Sequence, residues 1–96
     1  MQTAVNELLS LGKLPDSREA DADTVRLFQE AIARIRRPVS DEEARALLRC
    51  FGPDDSFGLA WELVHAIETS PGWPLLDALK GNDGQWTALL RERRSL

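Results

Sequence analysis

Phe57-Gly58-Leu59-Ala60-Trp61-Glu62-Leu63-Val64-His65-Ala66-Ile67-Glu68-Thr69 is the stretch that decides the fold. Its apolar residues, Phe57, Leu59, Ala60, Trp61, Leu63, Val64, Ala66 and Ile67, fall at helical spacing and occupy nearly the whole circumference. A helix that is apolar almost all round must be covered on several sides, so residues 57–69 are predicted to be the central helix of an all-α bundle. Its one polar stripe is Glu62, His65, Glu68 and Thr69, which lie three and four residues apart.

Outward from this segment the same period persists, and no sustained alternation of the β type appears. Upstream, Ser40-Asp41-Glu42-Glu43 has the spacing of a capping box, which predicts a helix from Asp41 to Cys50 or Phe51, ended by Gly52-Pro53. Thr24 to Arg36, capped by Asp23, carries Val25, Phe28, Ile32 and Ile35 on one stripe, and Pro38 prevents its continuation. Thr3 to Leu11 is a short first helix that Gly12 ends in a left-handed conformation. Downstream, Ser70-Pro71-Gly72 breaks the central helix. A short helix follows over Pro74 to Lys80, then a turn at Gly81-Asn82-Asp83-Gly84, then a last helix over Gln85 to Arg94. The expectation is a compact single-domain bundle of about six short helices.

Length and composition agree with that architecture. The chain has 96 residues, room for one helical domain over 1–96, and mass scaling puts about two-thirds of its surface in the interior. At 43% apolar and 29% charged residues, it lies outside the composition of disordered chains. A single cysteine, Cys50, excludes an intramolecular disulfide and fits a reducing cytoplasm. Residues 1–14 carry no signal-peptide pattern, and no run is long and apolar enough to span a membrane.

Charge is distributed unevenly. Residues 1–37 hold six acids and six bases, residues 38–79 eight acids and two bases, and residues 80–96 two acids and four bases. The net charge of −4 therefore hides an acidic middle segment, which repels nucleic-acid phosphates and attracts a basic partner.

Catalytic and metal signatures are sparse. Glu62 and His65 have the i, i+3 spacing of a di-metal half-site, but His65 is the only histidine, so the second half is missing. No metal site and no cofactor are expected. Cys50 paired with His65 is conceivable as a nucleophile and base, but a cysteine late in a core-type helix behaves as a small buried hydrophobe. The glycines form no phosphate-binding fingerprint. Arg36 and Arg37 suit the negative end of the helix before Pro38 and need no ligand. Asp54 and Asp55 can serve a helix start or a partner. Trp73, in a loop between Gly72 and Pro74, either covers the core edge or anchors a partner.

The run Phe51-Gly52-Pro53-Asp54-Asp55-Ser56-Phe57-Gly58-Leu59-Ala60-Trp61-Glu62-Leu63-Val64-His65-Ala66-Ile67-Glu68-Thr69-Ser70-Pro71-Gly72-Trp73-Pro74 resembles the signature of a group of small acidic bacterial proteins, the immunity proteins encoded beside polymorphic and contact-dependent toxins. Leu14-Pro15-Asp16 and Ser40-Asp41-Glu42-Glu43 resemble it more loosely. The resemblance implies a protein without a catalytic site whose surface complements a toxin. Acidic complementarity to a basic toxin would speed encounter and sharpen specificity.

The expectation is thus a cytoplasmic, non-catalytic protein-binding module that neutralises a basic toxin domain. The alternatives are a small helical adaptor or regulatory subunit that takes another protein's helix in a groove, and an uncharacterised enzyme. Candidate contact residues are Asp54, Asp55 and Glu62 first, then Glu42 and Glu68, with Trp73 as the aromatic candidate. The acids flank or lie on the polar parts of the central helix and are expected close together.

Overall fold

The computed structural model describes residues 1–81 and 84–93. Among these residues six helices and no strands occur: α1 (Thr3–Leu11), α2 (Ala22–Ala33), α3 (Asp41–Leu47), α4 (Leu59–Glu68), α5 (Leu76–Gly81) and α6 (Gln85–Arg93). α1 packs on α2 and α3, α4 packs on the same two helices, and α5 and α6 pair with each other. The all-α expectation holds. Arg94 of the predicted last helix, and Asn82 and Asp83 of the predicted turn, lie outside the described residues.

Several ends differ from the sequence expectation, each for a physical reason. α2 begins two residues early because Asp21, not Asp23, is its cap: the Asp21 carboxylate accepts from Thr24 N at 2.7 Å. It also ends early, because Gln2 grips the backbone beyond it. The Gln2 amide oxygen accepts from Arg36 N at 2.7 Å, and its NH₂ donates to Arg36 O at 3.1 Å. α3 stops at Leu47, and the chain tightens into i→i−3 bonds, Arg49 N to Ala46 O and Cys50 N to Leu47 O. α5 starts at Leu76 because Leu75 has a positive φ of 50°, which no helix interior admits.

The capping box of α3 is present in full. Ser40 Oγ accepts from Glu43 N at 3.1 Å, and Glu43 Oε1 accepts from Ser40 N at 2.8 Å. Glu43 is buried, and its second oxygen accepts from Gln2 N at 2.7 Å, so one carboxylate ties the start of the chain to α3. Burial works against its charge, but the hydrogen bonds from Ser40 and Gln2 outweigh burial and hold Glu43 below the usual carboxylate range. Next to it, Asp41 Oδ1 accepts from Gly72 N at 2.7 Å and fastens the loop after α4 onto α3. A Cβ at Gly72 would strike that carboxylate.

α4 supplies six buried residues, Leu59, Ala60, Leu63, Val64, Ala66 and Ile67, to a core shared with α1, α2 and α3. It is not apolar all round, however. Phe57 lies outside the helix and is 57% exposed, and Trp61 is 38% exposed, so the segment presents two aromatic rings to solvent.

Candidate functional site

The turn before α4 explains why Phe57 leaves the core. Asp54 Oδ1 accepts from Ser56 N at 3.0 Å, an Asx turn that starts the reversal. Ser56, Phe57 and Gly58 then follow with φ of 48°, 57° and 86°. Only glycine takes such values freely, so Ser56 and Phe57 are held there at a steric penalty of roughly 1–2 kcal/mol each. The turn closes through Gly58 N and Ala60 N, which both donate to Asp55 O. Ser56 is fully buried, and its hydroxyl is without a hydrogen-bond partner among the described residues.

Two other segments hold this turn. Asp54 accepts from Ser17 N at 3.2 Å and from the Ser17 hydroxyl, and these bonds, the hydroxyl foremost, keep its carboxyl below the ordinary range. From the far side, Trp86 Nε1 donates to Asp54 O at 3.3 Å, and Gln85 Nε2 donates to Pro53 O at 2.9 Å. The backbone strain is therefore over-determined by bonds from the 16–17 loop and from α6. Strain fixed in this way is characteristic of functional surfaces.

Around the turn runs a row of rings. Phe51 stacks on Trp86 with centroids 5.6 Å apart and planes 10° from parallel. Trp86 meets Trp61 edge to face at 5.4 Å and 89°. Trp61 in turn lies 6.4 Å from His65, one helical turn further along α4. Phe57, Trp61 and His65, at spacings of four, are all exposed, with exposed Asp55 beside them in the chain. The buried Trp86 fixes Trp61 from below, so the ring is displayed in a defined position.

The predicted acidic contacts are not brought together. Asp54 is half-buried and engaged by Ser17. Glu62 faces Arg37, whose Nη2 lies 3.4 Å from its carboxylate. Glu68 makes a two-pronged bond to Arg93, at 2.7 and 2.8 Å, on the side of α6. Glu42 is exposed on α3. Glu62 and Glu68 stand about 9 Å apart along the helix axis and serve different neighbours, because a six-residue offset turns them well apart around α4. Of the five acids, Asp55 and Glu42 are exposed without an ion pair among the described residues. Trp73 is half-buried and packs against the core, in keeping with its reading as an edge cover.

Cys50 is buried, and desolvation pushes its thiol up to about 11, so it is protonated at neutral pH and is a weak nucleophile. Among the described residues no three His, Cys, Asp or Glu side chains gather as metal ligands. No helix among the described residues is long and apolar enough to cross a membrane.

The exposed aromatic face is what sequence reasoning missed. Its signal was present in part: Trp61 and His65 are one helical turn apart and both exposed, on a stripe distinct from Leu59, Leu63, Ala66 and Ile67, whereas Phe57 precedes the helix. The turn over Pro53 to Ser56 is legible in the sequence, but the left-handed run through Ser56, Phe57 and Gly58 is not. No protein-family model matches the chain, and neither a curated protein nor a solved structure shows significant similarity to it.

Proposed function

We propose that this chain is a non-catalytic protein-binding module whose partner-facing surface is the Asp55 to Trp61 corner, and that its partner is a basic toxin domain which it neutralises. The observation that carries this reading is Phe57: an aromatic ring 57% exposed, on a backbone held in an unfavourable conformation by bonds from two other segments. A large apolar side chain in solvent, four residues before an exposed tryptophan, has the composition of an interface hot spot. The basic character of the partner follows from the surplus of six acids over residues 38–79, with Asp55 at the corner itself. Its nature as a toxin rests on the resemblance of residues 51–74.

The test is binding to, and protection against, the product of a toxin gene adjacent to this protein's own. Wild type is expected to bind and protect, with association slowing as salt rises. Asp55→Lys, at an exposed position with no internal ion pair, is expected to bind about tenfold more weakly while keeping its helical spectrum. Equal affinity of the variant would remove Asp55 from the interface, and absence of wild-type protection would refute the toxin reading.

A further inference from the structure

Phe51 and Trp86 line a cleft of about 610 Å³ between the 49–53 segment and the start of α6. We infer that this cleft is a binding site for a small planar aromatic anion, one ring system carrying a carboxylate or a phosphate. Four observations carry the inference, and none of them depends on the protein partner.

The first is the wall. Phe51 and Trp86 both line the cleft, and because Trp86 is buried and stacked on Phe51, the half-buried Phe51 ring supplies the apolar wall against which a further ring can pack. The second is charge. Lys13 and Arg49 line the same cleft, and among the described residues neither has an ion-pair partner and no carboxylate lines it. Arg49 is one of only two bases in the acidic middle segment. The other, Arg45, is paired with Asp77 at 3.4 Å. Two unpaired cations at one opening in a chain of net charge −4 favour an anion there.

The third observation is Thr87. It is only 2% exposed and lines the cleft, where its side chain can offer a hydroxyl. It stands in the first turn of α6, which carries no acidic side chain and whose dipole favours negative charge. The fourth is how Lys13 is placed. Leu14 N donates to Cys50 O at 2.8 Å, and Gly52 lies so close to the Leu14 carbonyl that any Cβ there would collide with it. That close approach sets Lys13 beside the 49–52 segment. The volume falls in the range of small-molecule sites.

The experiment is a titration of the ¹⁵N-labelled full chain with AMP and, separately, with 1-naphthoate, against adenosine, 1-naphthamide and inorganic phosphate. At least one anion is expected to give saturable shifts at the Gly52, Trp86 and Thr87 amides and the Trp86 indole N–H. It should bind about tenfold more tightly than its neutral counterpart and than phosphate alone. AMP alone saturating identifies phosphate as the anionic group, and naphthoate alone identifies carboxylate. Lys13→Gln/Arg49→Gln is expected to lose the tenfold preference while its thermal midpoint stays at the wild-type value, and Arg49→Gln alone gives an independent check. The inference is overturned if neither anion saturates at millimolar concentration, if the neutral analogues or phosphate bind equally well, or if the charge variants bind as wild type does.

Discussion

Phe57 and its neighbours show how a single residue can run against the hydrophobic pattern around it. Its ring counts as apolar in any periodicity, but the Asx turn at Asp54 and the left-handed values at 56–58 take it out of the helix and into solvent. Phe57→Gly is therefore expected to change stability by less than about 1 kcal/mol, because the steric penalty that glycine removes at a positive φ is offset by the buried part of the ring and by the freedom of glycine in the unfolded chain. Chemical denaturation measures this directly, and a drop beyond about 2 kcal/mol would mean that the ring packs more tightly than its exposure indicates. Trp61→Ala is expected to lower stability by about 2 kcal/mol, less than the 3–5 of a fully buried ring, since Trp61 is 38% exposed and holds chiefly to Trp86. A loss beyond 3 kcal/mol would place it in the core.

The six helices were legible in the sequence because their signals are local. Apolar spacing, Gly12 after α1 and the Ser40 to Glu43 box all act within a few residues, and each appears where the pattern puts it. Ser40→Ala is expected to lower stability by about 0.5–2 kcal/mol, read from the denaturation midpoint, since it removes a bond to a helix N–H that has no internal acceptor. An unchanged midpoint would separate the box from the stability of α3. What was not legible is long-range. Gln2 shortening α2, Gly72 resting on Asp41, and Ser17 binding Asp54 join residues 31 to 37 positions apart, and no window along the chain contains both partners. The same holds for the candidate surface. The sequence makes the residues near Phe57 conspicuous, but only the fold shows Asp54 engaged inward, Glu62 and Glu68 matched by arginines on different elements, and Asp55 left exposed.

At the scale of the molecule, these long-range bonds converge on carboxylates, and that sets the response to acid. Glu43 and Asp54 are both held below their ordinary values of 4.5 and 3.8, so each contributes stability that is present above those values and is lost as the pH falls through the lower folded ones. The denaturation midpoint is expected to stay flat from neutral pH to about 5 and to fall below about 4.5, with Glu43→Gln flattening the decline. A midpoint independent of pH down to 3 would exclude these carboxylates as fasteners of the fold. On the proposed reading, the Asp55 to Trp61 corner, whose backbone the bonds at Asp54 hold, is the surface where Phe57 meets a partner. The most direct measurement is the affinity of Phe57→Gly for the proposed basic toxin partner, with its stability measured on the same sample. A folded variant of near wild-type stability that binds at least about tenfold more weakly is the predicted result; wild-type affinity in a folded Phe57→Gly protein would contradict that reading.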